Sequence, residues 1–226
     1  ETAIKRGHCY MTIFTDYDSG QVIFVTEGRK KEVFDEFYGW LWDNGGHPGK
    51  IELFSMDMSK SYKAGQSSYF AHSDVVFDRF HIKKALNEAV DKVRKQEVSE
   101  FENLKKTKYI WLKNEKNLNF DQKYKLDNML NESSLKTAIA YKLKLEFDNL
   151  WTVPKFHVEE ILDIWKNRAI QTEIQPLLNF VNTIDNNYRG IINAIKMLIN
   201  NGISEGINSK IQAAKTKARG YPNFEN

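Results

Sequence analysis

Every strand signal in this chain falls before Phe80, and nothing after Phe80 reads as a strand. Residues 8–16 (HCYMTIFTD) are rich in β-formers, Tyr17-Asp18-Ser19-Gly20 is a turn signal, and 21–27 (QVIFVTE) resumes the pattern, which predicts a β-hairpin. Val33, Phe34, Phe37, Tyr38 and Leu41 then recur at helical spacing over 31–42, and the breakers Asn44-Gly45-Gly46-His47-Pro48-Gly49 stop that helix. Two short apolar runs follow, IELFSM at 51–56 and DVVF at 74–77, each ended by an aspartate. Apolar runs of this length, interleaved with helix, are the pattern of strands buried in an α/β sheet. The expected fold class is therefore α/β, with a mixed sheet of about four visible strands ahead of a long helical region.

The helical half has its own punctuation. Ile82, Leu86, Ala89, Val90 and Val93 form one stripe, and further helices are predicted over 121–130, 135–150, 158–169 and 176–198. Asn119 or Asp121 can cap the first of these four, and the Ser133-Ser134 pair can start the second. A last helix is expected from about 204 to 218, with Gly220 as its stop. The expected organisation is 1–80 as the sheet region, 81–200 as the helical region, and 201–226 as a helix returning to the sheet. At 226 residues the chain has room for one large domain or one domain with an insertion. The single cysteine, Cys9, rules out an internal disulfide and any multi-cysteine zinc site. No apolar run approaches the ~20 residues of a membrane span. No signal-peptide pattern opens the chain, so a cytoplasmic setting without membrane partners is expected. The absence of a glycine-rich phosphate loop argues against a nucleotide-binding α/β protein.

Charge becomes informative once it is placed along the chain. Thirty-three basic and 30 acidic side chains leave a formal net charge of +3. All of it lies after residue 205, where Lys210, Lys215, Lys217 and Arg219 face only Glu225. A solvated C-terminal helix explains this as readily as a phosphate-binding one does.

Asp57 and Asp78 stand at the C-terminal ends of the two short strands, the edge where ligands bind in open α/β sheets. Either can instead be a helix N-cap. Asp78-Arg79-Phe80-His81 places an imidazole three residues after a carboxylate, so one helical turn would bring the pair to one face. In Ile203-Ser204-Glu205-Gly206-Ile207-Asn208-Ser209-Lys210 an acid leads a polar and basic helix. That suits cation binding with phosphate contacts beyond it, and it equally suits an acid placed by the helix dipole. Trp40, Trp42, Trp111, Trp151 and Trp165 are expected in the core, with base stacking as the alternative. Lys105, Lys106, Lys108, Lys113 and Lys116 are read as solvated surface with DNA contact as the alternative.

These pieces, in this order, resemble the bacterial insertion-sequence DDE transposases of the ISL-three type. The matching blocks are Gly7-His8-Cys9-Tyr10 with its hairpin, Met56-Asp57-Met58-Ser59, Val75-Val76-Phe77-Asp78-Arg79-Phe80-His81, Leu86-Asn87-Glu88-Ala89, Tyr109-Ile110-Trp111-Leu112-Lys113-Asn114, Ser204-Glu205-Gly206-Ile207-Asn208-Ser209-Lys210-Ile211 and Gly220-Tyr221-Pro222-Asn223-Phe224. The resemblance implies a ribonuclease H-like mixed sheet with a large all-α insertion. It implies three carboxylates around two Mg²⁺ (or Mn²⁺) ions that drive cleavage and strand transfer of DNA. Asp57 would be the second acid and Glu205 the third, both catalytic and metal-ligating. Asp78 and His81 would be the supporting aspartate–two residues–histidine motif. Asn208, Lys210, Lys215, Lys217, Arg219 and Trp111 would contact DNA.

Glu1 aligns just after the family's first acid. The expectation is thus a catalytic-domain fragment without that acid and its strand, inactive alone, binding no metal, and with an incomplete sheet. A non-catalytic DNA-binding or assembly remnant is the alternative. The partners implied are transposon ends, target DNA and further copies of the chain, in the bacterial cytoplasm on the nucleoid.

Overall fold

The computed structural model describes residues 2–3, 10–132 and 134–198, together with 206, 209, 210 and 213. The described residues fall into two compact units. One holds those up to Asp78 with the four C-terminal positions, and the other is Arg79–Leu198. The chain is α/β with far more helix than strand, and no described helix is long and apolar enough to cross a membrane.

The first unit is built on the predicted hairpin. Strands β1 (Thr2–Ala3), β2 (Tyr10–Thr15) and β3 (Val22–Glu27) form an antiparallel sheet in that order. The turn is fixed by Asp16, whose carboxylate accepts from the Ser19 amide at 2.8 Å and the Ser19 hydroxyl at 2.5 Å. Those two bonds, the hydroxyl's first, hold the Asp16 carboxyl below its ordinary value. Helix α1 (Glu32–Asp43) follows, then β4 (Leu53–Met56), α2 (Lys60–Tyr69) and β5 (Asp74–Phe77), with β4 and β5 parallel, as a helical crossover between them allows.

The core of this unit is aromatic. Phe37 stacks on Phe14 with centroids 4.1 Å apart, and Phe34 meets Phe54 and Tyr62 edge-on at 5.6 and 5.7 Å. Buried Thr12 donates its one hydroxyl proton to the Gly28 carbonyl at 2.7 Å, so the Tyr62 hydroxyl, also 2.7 Å away, is the donor to Thr12. Trp40 packs into this cluster as expected, whereas Trp42 is half exposed, an outward position on α1.

Among the described residues, the expected mixed sheet of about four strands is two small sheets, of three and two strands. Tyr10 and Met11 pair with β1, and no described strand continues along that side of β2 to reach β4.

The second unit is all helical. Helix α3 (Arg79–Glu97) packs against α4 (Lys108–Leu112), α6 (Lys136–Asn149), α8 (Gln175–Asp185) and α9 (Tyr188–Met197), while α5 (Phe120–Leu130) adjoins α4 and α7 (Val158–Gln171) adjoins α6 and α8. Phe147 anchors the core, with Trp151, Trp165 and Phe180 all edge-on to it at 5.0–5.6 Å. The Asn119 cap is present as a full capping box with Gln122.

One expectation fails here for a local reason. The helix expected over 176–198 is broken into α8 and α9, because Asn186 and Asn187 turn their amides back onto the carbonyls of Asn182 and Thr183 at 2.8 and 2.7 Å. The helix expected over 135–150 is present as α6; Ser133 of the pair expected to start it lies outside the described residues, and the N-cap is Leu135, which supplies no side-chain cap. Its free N–H groups are instead met by Glu97, the last residue of α3, which accepts from the amides of Lys136 and Thr137 at 2.8 and 2.7 Å and from the Thr137 hydroxyl at 2.6 Å.

Candidate functional site

The register of the parallel pair decides where the two strand-end aspartates stand. Met56 pairs with Phe77, and the Asp78 amide donates to the Met56 carbonyl at 3.0 Å, one step beyond the last pair. Asp57 and Asp78 are therefore neighbours at the C-terminal edge of this sheet, about 4.8 Å apart along the hydrogen-bonding direction. Strand alternation puts them on the face opposite Met56 and Phe77. Both are half-buried.

The capping alternative for Asp57 is resolved by its neighbour. Ser59 is the N-cap of α2, with its hydroxyl accepting from the Tyr62 amide at 3.4 Å. Asp57 Oδ1 accepts from the Ser59 amide at 3.2 Å, which orients the carboxylate just ahead of the helix. Among the described residues Oδ2 has no hydrogen-bond partner. Asp78 is the last residue before α3, and His81 is the third residue of that helix, half-buried, with its ring edge-on to Phe80 at 5.5 Å.

A carboxylate with one free oxygen at a strand end has the donor chemistry of a hard-cation ligand. Among the described residues no three His, Cys, Asp or Glu side chains gather as a metal-holding group. Glu205, the second expected ligand, lies outside the described residues, as do Asn208, Lys215, Lys217 and Arg219. Lys210 is helical and exposed, as are Gly206, Ser209 and Ala213. No metal geometry is derived from this partial set.

Trp111 is corrected. Its ring is 0 % exposed, its indole N–H donates to the Thr107 hydroxyl at 3.1 Å, and Tyr141 packs edge-on at 5.5 Å. A ring enclosed in this way has no face for a DNA base; it is a core residue. The side-by-side placement of Asp57 and Asp78 goes beyond the sequence reading, although two strands of equal length each ending in Asp, joined by a helix-length segment, are its signal.

The family model for ISL3-type DDE transposases, described as "Transposase", matches residues 1–226. A protein of Bordetella parapertussis, "Transposase for insertion sequence element IS1001", is 26 % identical over 234 residues, which cover 100 % of this chain and 57 % of that protein. The chain thus spans a little over half the length of this relative. No solved structure matches the chain.

Proposed function

This chain belongs to the ISL3-type family of DDE transposases, and from that premise we propose that it carries the catalytic region of an insertion-sequence transposase, with a ribonuclease H-like arrangement of acids. The reaction proposed is metal-dependent cleavage and joining of DNA at the ends of a mobile element. The observation that carries this reading is Asp57, held at the C-terminal end of β4 with one carboxylate oxygen engaged and the other without a hydrogen-bond partner among the described residues. Glu205 is proposed as its co-ligand. Two Mg²⁺ or Mn²⁺ ions, when bound, would supply activation of the attacking oxygen and stabilisation of the leaving one.

The chain's own residues have separable tasks in this proposal. Asp57 and Glu205 hold cations, and Asp78 with His81 supports that edge through an oriented imidazole. Asn208, Lys210, Lys215, Lys217 and Arg219 contact phosphates, since they follow Glu205 on a basic segment. Transposon-end and target DNA are the proposed partners, with self-association and a place on the bacterial nucleoid.

The test is excision of the element by the full-length transposase containing this chain. Asp57→Asn and Glu205→Gln are each expected to reduce excision by at least about 10²-fold, as loss of a group that stabilises developing charge does. Asp18→Asn, in the hairpin turn, should leave excision unchanged. Wild-type excision by Asp57→Asn protein would refute the assignment.

A further inference from the structure

The helical unit carries an open groove of about 790 Å³, bounded by α3 and by the α4 region. Five lysines line it, Lys83, Lys84, Lys92, Lys95 and Lys108, against two acids, Glu88 and Asp91. Asp91 is already neutralised: its Oδ1 accepts from the Arg94 guanidinium at 2.9 and 2.7 Å, and its Oδ2 faces Lys95 at 3.0 Å. Lys83 is held by Asp148 at 2.7 Å. That leaves Lys84, Lys92 and Lys108, all exposed and without an ion-pair partner among the described residues, against Glu88.

Lysines alone would mark an ordinary solvated face. The rings beside them do not fit that description. Phe80 is 59 % exposed and Tyr109 is 64 % exposed, both on the groove wall, and the Lys108 ammonium lies 5.7 Å from the Tyr109 centroid. Ammonium groups without an ion-pair partner among the described residues, set beside exposed aromatic rings, are the two components of a single-stranded nucleic-acid platform, one for phosphates and one for bases. The spacing agrees. Eight helical residues put Lys84 and Lys92 about 12 Å apart. That distance is within the reach of a short run of neighbouring phosphates on one strand.

We propose that this groove binds a single DNA strand, with phosphates on Lys84, Lys92 and Lys108 and a base stacked on Tyr109. The choice of DNA over another polyanion rests on the transposase reading; the groove itself does not involve Asp57.

The test is fluorescence anisotropy of a labelled single-stranded oligonucleotide with the full chain, repeated across salt concentrations. Lys84→Ala/Lys92→Ala/Lys108→Ala is expected to flatten the log–log salt dependence by about 2, the slope that three single-strand phosphate contacts provide. Tyr109→Ala should weaken binding roughly tenfold and leave the slope unchanged. Lys125→Ala/Lys142→Ala/Lys155→Ala removes the same charge outside the groove and should leave the slope as in wild type. An equal slope loss in that control would overturn the proposal. So would Tyr109→Ala binding like wild type, or polyglutamate displacing the oligonucleotide at equal charge concentration. Asp57→Asn binding should match wild type, so groove binding without Asp57-dependent excision would sink the catalytic reading and leave the groove standing, and the converse result would do the reverse.

Discussion

Two buried charges in the helical unit are held by backbone rather than by an opposite charge, and this sets how the protein should respond to mutation and pH. Lys144 is 5 % exposed and donates to the carbonyls of Trp111 and Leu112 at 2.9 and 3.1 Å, the C-terminal end of α4. Burial is the main reason its ammonium falls from 10.5 to about 8, with Asp148 pulling it back up and Lys83 adding to the fall. Between about pH 8 and 10.5 the unfolded chain holds this proton and the folded chain does not, so this group makes stability rise with pH across that window. The full shift corresponds to roughly 3 kcal/mol. Denaturant midpoints at pH 7, 8.5 and 9.5 should therefore climb more steeply in wild type than in Lys144→Met; parallel curves would count against the shift. Burial raises the Tyr141 hydroxyl, which acts in the opposite sense only as pH passes 10.

Glu97 is the converse case, an acid spent on the α6 amides. Glu97→Gln turns one acceptor into a donor aimed at an N–H and should cost about 3 kcal/mol, read as a fall in Tm of roughly 6–12 °C. Neither residue was legible in the sequence, because each is satisfied by a segment 30 to 40 positions away.

At the scale of elements, what the sequence shows well is anything that local pattern determines. The hairpin, α1, β4, β5, α5, α6 and α7 lie within about two residues of expectation, and α3 runs beyond both ends of its Ile82–Val93 stripe, since periodicity and turn chemistry carry them. The break between α8 and α9 is hidden because the apolar stripe runs through Asn186-Asn187 in phase, while the event that stops the helix is two amides folding back. The closeness of α1 and α2 is also invisible in one dimension. Gly65 faces Phe34, and a Cβ there would sit 2.4 Å from Phe34 Cδ2 and 3.0 Å from the Lys31 carbonyl oxygen. Gly65→Ala is expected to cost about 1–3 kcal/mol by forcing the two helices apart. Gly39 on α1 gives the contrast, since a Cβ added there would meet nothing within 4 Å. Gly39→Ala should be neutral or stabilise by up to about 1 kcal/mol. Equal urea midpoints for the two variants would contradict this account of the α1–α2 contact.

At the scale of the molecule, the sequence placed an aspartate just past each of two short strands, and both strands are present. Asp57 and Asp78 differ in what comes next. Asp57 leads into a loop and a serine-capped helix, and Asp78 leads directly into α3. The register places them one strand apart on one face, so position on the sheet edge does not by itself assign the ligand. Ligand chemistry can separate them. A thiolate is a poor ligand for Mg²⁺ and a better one for the softer Mn²⁺. In the full-length transposase, Asp57→Cys should lose DNA cleavage in Mg²⁺ and recover part of it in Mn²⁺. Asp78→Cys, if the aspartate orients His81 rather than a cation, should show the same defect in both metals. Manganese rescue at Asp78 and not at Asp57 would exchange their roles, which would make β5 rather than β4 the strand that carries the metal-binding acid.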